Sequence, residues 1–265
     1  MEARRFLQSA LFFLLSVGSL LLVWEILSKL KIINPALFSS PSEIFGILYK
    51  LFQTETATGQ SLLLFHVSSS LYRLLMAFII AVIGGAGLGM LMGWNSYVYR
   101  FFDPLVTVAM PVPGLAWTPI FVFWLHTFPR EIPIIAVGAL AAFFPIVHNM
   151  AAGVRSVSDK LIWLSRSMGA NERTIFLKVF IPYSTPYLLT GLKLALARGW
   201  RTVIAIELIA GTLSGFGFMI LNAREYGQPY IILGGMMIIA CIYFVIEKII
   251  ELVEKNSIEK WGMVR

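Results

Sequence analysis

The chain has 265 residues, is 58% hydrophobic before its 21 glycines are counted, and is only 13% charged. Ordinary soluble domains carry about 25% charged residues, and a single core of this size cannot hide so much apolar surface; the same composition excludes disorder, and the lone Cys241 excludes a disulfide scaffold. A polytopic membrane protein remains, so the net charge of +7 reads first as a bias of cations toward one face of the bilayer and not as a nucleic-acid footprint.

A helix needs about 20 mostly apolar residues to cross the hydrocarbon core. Residues 6–24 are uncharged between Arg5 and Glu25. They are longer than the apolar part of a signal peptide, and no small-residue cleavage site follows Trp24, so they read as a retained anchor. In the stretch from Lys29 to Arg73, Ser42 fits the N-cap of an interfacial helix whose Ile44, Ile47, Leu48 and Leu51 share one apolar face. The second span, 74–99, has its apolar part ending near Trp94. It repeats Ala81, Gly85, Gly89 and Gly93 at every fourth position, a small-residue ridge that lets helix backbones approach closely.

The third span, 104–129, is interrupted by Pro111, Pro113 and Pro119. Carbonyls freed inside a membrane are tolerated only within protein or against a cavity. Pro111, Pro113 and Trp117 are therefore expected at a path or gate through the bundle, simple bending of the helix being the competing account. Residues 132–154 form the fourth span and 226–246 the last. Between them, 186–210 is apolar in outline yet carries Lys193, Arg198, Arg201 and Glu207. The expectation is an all-α polytopic membrane protein with six transmembrane helices.

Orientation follows from the loop cations. With a cytoplasmic N-terminus, twelve fall inside: Arg4, Arg5, Arg100, Arg155, Lys160, Arg166, Arg173, Lys178, Lys248, Lys255, Lys260 and Arg265. Six fall outside: Lys29, Lys31, Lys50, Arg73, Arg130 and Arg224. Both termini are expected in the cytoplasm. The other three cations lie in the fifth span, where a charge costs about 2.5–3.5 kcal/mol on insertion scales. Lys193, Ala197 and Arg201 share a helix face. Counted from Pro186 at about 1.5 Å per residue, Arg198 lies ~18 Å in, near mid-membrane. A cationic lining would favour anions. Alternatively, Lys193 snorkels to the inner surface while Arg198 and Arg201 pair with Glu207 or with carbonyls at a subunit interface.

No chemistry-bearing constellation is present. His66, His126 and His148 are far apart, no His-Glu-x-x-His or Gly-x-Ser-x-Gly occurs, and the phosphate cradle Gly-x-x-x-x-Gly-Lys-Ser/Thr is missing. Neither a catalytic residue nor a metal site is expected, and energy for any work must come from a partner. The cytoplasmic loop 155–185 is the most informative segment. Ser158 caps a helix with Asp159 in its first turn, Leu161, Leu164, Ser165 and Met168 share a face, and Gly169 sits where that helix ends. Asn171 is expected to cap a second short helix that stops before Pro182. Such a hairpin either docks into another protein's groove or lies on lipid headgroups.

Gly169, nine residues, and then Val179-Phe180-Ile181-Pro182 resembles the end of the signature loop of binding-protein-dependent ABC transporter permeases, with Ser167-Met168-Gly169-Ala170 as its turn. Trp163-Leu164-Ser165 stands where that family has Glu-Ala-Ala. Pro111 to Pro119, Ala151 to Val157, Leu189 to Lys193, Glu207 to Ala210 and Gly215 to Phe218 are similar to the nitrate/sulfonate/taurine branch. The resemblance implies a type I ABC importer permease fold in the inner membrane. It divides the chain into an N-terminal helix and extracytoplasmic loop (1–62), a permease domain (63–250) and a cytoplasmic tail (251–265). It also implies a homodimer working with a cytoplasmic ATPase dimer that binds the ATP and Mg, and with an extracytoplasmic solute-binding protein. No nucleic acid is expected as a partner. Asp159, Leu161, Leu164, Ser165, Met168, Gly169, Ala170 and Pro182 then belong to the ATPase-coupling loop. Pro111, Pro113, Trp117, Arg198, Arg201 and Glu207 belong to the substrate path, and Gly85, Gly89 and Gly93 to helix packing. The solute implied is a small anion such as sulfonate, taurine, nitrate or bicarbonate. An ion-coupled secondary transporter using the charged fifth span is the alternative.

Overall fold

The computed structural model describes residues 2–32 and 38–260. In chain order the helices are α1 (Glu2–Lys29), α2 (Pro41–Gln53), α3 (Leu62–Trp94), α4 (Ser96–Ala109), α5 (Thr118–Trp124), α6 (Glu131–Arg155), α7 (Asp159–Ser167), α8 (Glu172–Ile175), α9 (Ile181–Glu207), α10 (Phe216–Glu225) and α11 (Pro229–Lys260). Among the described residues there is no strand, only one isolated bridge between Glu55 and Ser61. Among the described residues, four helical stretches are long and apolar enough to cross a membrane, and a fifth span results if α4 and α5, bent by 97° at their break, count together. The side chains of Arg4, Arg5, Lys255 and Lys260, and all of Arg265, lie outside the described parts of the chain, as does the end of the expected tail.

Local sequence chemistry sets the boundaries, with three corrections to expectation. First, α2 is capped by Ser40 and not by Ser42. Pro41 needs no helical N–H donor at the first position, so the cap moves to the serine before it, and Glu43 completes a capping box. Ser42 instead donates to Glu25 at 2.8 Å and ties α2 to α1. Second, Ser61 caps a helix that begins at Leu62, so Arg73 is not a loop cation but lies three turns inside α3. Third, the helix after Asn171 does not stop before Pro182. A π-turn over Phe176–Phe180 widens the coil ahead of the proline, and α9 follows directly, giving one 36-residue helix from Glu172 to Glu207.

The break between α4 and α5 has a plain cause. Pro111 and Pro113 supply no N–H, so the carbonyls of Thr107 and Ala109 lose their helical donors. Val112 turns back to Ala109 at 3.1 Å, and a 3-10 turn, Gly114–Trp117, leads into α5.

The core is α6, held between α3 and α9. Gly85 meets Ile146, Gly89 meets Val147 and Met150, and Gly93 meets Val154, all through close backbone approach. On the opposite face Gly191 lies over Pro145 and Asn149, and Val203 fills the space left by Gly138. Ala81, Ala142, Ile146 and Ala195 close the middle. Toward the other side of the bundle, Trp200 packs edge-on to Phe216 and joins α9 to α10 and α11.

Candidate functional site

The residues singled out from the sequence point to three places, a path, a coupling loop and a packing ridge. The first is a cavity of about 500 Å³ between the α4–α5 break and the middle of α9. Pro111, Pro113, Trp117, Arg198 and Arg201 all line it, together with Met110, Gly114 and Thr202, which sequence reasoning did not single out. Its size falls in the range of small-molecule sites. Gly114 is there because nothing larger fits: a Cβ would come within 2.7 Å of Thr202 Oγ1. Arg198 Nη1 donates to the carbonyl of Met110 at 3.3 Å. Arg201 Nε donates to Ala197 on its own helix at 3.0 Å.

Glu207 does not line that cavity. It is fully buried at the far end of α9, where its partner is Arg73 and neither of the α9 arginines. Arg73 Nη1 reaches Glu207 Oε1 at 2.5 Å and the Ser214 carbonyl at 2.8 Å, while Nη2 reaches Ser214 Oγ at 2.8 Å. Arg73 also pairs with Glu131 at the start of α6. Ser70 Oγ donates to the Glu207 carboxylate, Gly217 N donates to it at 3.0 Å, and Phe216 N donates to Ser70 Oγ at 2.9 Å. Gly215, at φ 103°, leaves room for the carboxylate, since a Cβ there would be 2.5 Å from it. The turn between α9 and α10 is thus stitched to α3 and α6 around one buried ion pair. His66 completes the cluster by accepting from Gly215 N at 3.2 Å. Arg73 was missed because apolar runs on both sides were divided at it. The available signal was Ser61, a good N-cap one residue before Leu62.

Lys193, at the middle of α9, is held by Glu254 of α11. The second place is the α7–α8 turn. Gly169 takes φ 80°, and Asn171 Oδ1 accepts from Thr174 N at 2.9 Å, so the hairpin turns on the Gly–Asn pair. Ile162 and Ala170 pack inward on Val154, Val157 and Ile175. Outward lie Asp159, Trp163, Leu164 and Met168, the last 80% exposed, with Leu161 and Ser165 beside them and Pro182 half-buried at the base. The third place is the Gly85, Gly89 and Gly93 ridge, which faces α6.

A model of the family described as binding-protein-dependent transport system inner membrane component matches residues 81–257. The chain is 35% identical over 238 residues to the taurine transport system permease protein TauC of Escherichia coli K12, covering 88% of this chain and 84% of that protein. It is 28% identical to the putative aliphatic sulfonates transport permease protein SsuC of Bacillus subtilis 168, over 94% of this chain and 86% of that one. It is also 28% identical to the nitrate import permease protein NrtB of Leptolyngbya laminosa, over 93% and 88%. Among solved structures, a chain of the inward-facing MetNI methionine ABC transporter superposes with a TM-score of 0.65 at 17% identity, covering 76% of this chain and 99% of that one.

Proposed function

Because the chain belongs to the binding-protein-dependent transport inner-membrane component family, and is thus a multi-pass protein of the cell membrane, we propose that it is the permease subunit of an ATP-driven importer for a small anion. The observation that carries the anion reading is the cavity at the α4–α5 break, where Arg198 and Arg201 line a space at the depth at which cations are costly. The names of the taurine, sulfonate and nitrate relatives point the same way, and bicarbonate is a further candidate of like charge.

In this reading α1, α3, the α4–α5 pair, α6, α9 and α11 are six spans with both termini in the cytoplasm, as the loop cations favour. The permease domain is 63–250, and two copies of the chain enclose the path. ATP and Mg sit on a partner ATPase dimer, for this chain has no Gly-x-x-x-x-Gly-Lys-Ser/Thr. Leu161, Leu164 and Met168, exposed on α7, dock into that partner, with Asp159, Ser165, Gly169 and Ala170 shaping the turn and Pro182 its base. Nucleotide binding and solute delivery by an extracytoplasmic binding protein then favour different conformations of the pair of permeases, which is what opens the path on alternate sides.

The test is reconstitution with the ATPase and binding protein in proteoliposomes, with labelled taurine, methanesulfonate, nitrate and bicarbonate as probes. Accumulation of one of them that requires ATP on the ATPase side is expected. Uptake that persists without ATP and collapses with an ion gradient would instead establish the secondary-transporter alternative.

A further inference from the structure

We propose that the two arginines of α9 divide their work: Arg201 is the group that meets the charge of the transported anion, and Arg198 is a positioning residue that holds the broken span in place. This rests on the anion-permease reading and assigns separate roles within its path.

The proline break makes the distinction. In an unbroken helix the carbonyl of Met110 would be taken by the N–H four residues on. Here Pro113 turns the chain into the 3-10 segment, and Arg198 Nη1 takes that carbonyl at 3.3 Å instead. A carbonyl left unpaired at this depth is costly, so the guanidinium of Arg198 is committed to the backbone of α4. It ties the end of α4 to α9 beside the contact of Gly114 with Thr202.

Arg201 differs in three respects. Its Nε bonds only within its own helix, to Ala197. Its two terminal nitrogens have no hydrogen-bond or ion-pair partner among the described residues, and the side chain is exposed. It borders the cavity at the break and also a second one of about 530 Å³ formed with Trp200, Met236 and Tyr243, of which Arg198 lines the first and not the second. Glu207, the nearest acid on α9, is already neutralised by Arg73. A fork of free N–H donors matches a carboxylate, sulfonate or nitrate edge. The same geometry uses Arg198 as the donor to the Met110 carbonyl and leaves Arg201 free to meet an anion's charge.

The crossed test uses the full complex in proteoliposomes with labelled taurine, methanesulfonate and nitrate. Arg198→Gln keeps a donor without the charge, Arg198→Leu removes both, Arg201→Lys keeps the charge, and Arg201→Gln removes it. Binding-protein-stimulated ATP hydrolysis and elution volume report an intact complex. Uptake by Arg201→Gln should fall about tenfold or more, the scale of losing a charged hydrogen bond, with Arg201→Lys, which keeps the charge but not the fork, falling less than Arg201→Gln, and Arg198→Gln staying within about threefold. Arg198→Leu should lose uptake, and Arg198→Gln should restore it. The proposal is overturned if Arg198→Gln falls as far as Arg201→Gln, or if Arg201→Gln transports normally. A distinct signature, no uptake of any anion by the unsubstituted complex, sinks the anion reading itself.

Discussion

Replacing Arg73 by Met is the most severe single change the structure offers. The side chain is 1% exposed, and it supplies donors to Glu207, Glu131 and both polar atoms of Ser214. Met fills much of the volume, so the loss is electrostatic and not a cavity. Glu207, 0% exposed, keeps Ser70 and Gly217 as donors but loses Arg73, its one ion-pair partner among the described residues. Removing one partner of a buried pair costs about 3–5 kcal/mol because the other charge is left stranded. The orphaned Ser214 groups add to this, though such terms within one network do not simply sum. Urea or thermal unfolding in detergent, followed by tryptophan emission, measures the loss. Arg73→Met should unfold at least about 3 kcal/mol more easily, while the double variant Arg73→Met with Glu207→Leu recovers most of that deficit. A single variant within about 1 kcal/mol of the parent, or a double variant as unstable as the two singles together, would refute the stranded-charge argument.

Four further expectations are testable alongside. Gly89→Ala places a Cβ 2.7 Å from the Val147 carbonyl and should cost about 1–3 kcal/mol. Gly87→Ala, with nothing within 4 Å, should instead gain up to about 1 kcal/mol from helix propensity in the same unfolding assay. Leu164→Arg, on an exposed position of α7, should leave stability within about 0.5 kcal/mol while abolishing copurification with the ATPase; normal copurification would remove α7 from the docking surface. Gly114→Val should unseat the 3-10 turn from Thr202, lowering transport with little change in ATPase binding, read by uptake and copurification together.

Features written in local chemistry were legible before the fold was known. The four-residue spacing of Gly85, Gly89 and Gly93 is visible as a string, and the structure seats that ridge on α6. So are the proline break, the Gly169 turn and the Asn171 cap, each decided by residues within a few positions. What was not legible depended on distant partners or on competing local signals. Glu207 reads as a stray acid among arginines on its own helix, because its true partner is 134 residues away. Arg73 reads as a boundary because charge usually ends a span. Pro182 reads as a stop because the π-turn that accommodates it has no sequence signature of its own. Ser40 and Ser42 are both competent caps, and only Pro41 between them decides.

The helix from Glu172 to Glu207 has a mechanical consequence. At 36 residues it is ~54 Å long, more than the hydrocarbon thickness. It begins at the Asn171 turn, passes the cavity at Arg198 and Arg201, and ends in the Arg73 lock. On the coupling role proposed above, it is a push-rod anchored at its far end: a thrust at the hairpin either tilts the whole rod or is taken up at a weak point along it. Two weak points lie along that line, the π-turn at Phe176–Phe180 with its looser coil and Pro186 inside α9. Stiffening the π-turn should pass a stroke on undiminished, and softening it should leave the proposed partner ATPase turning over against a slack shaft.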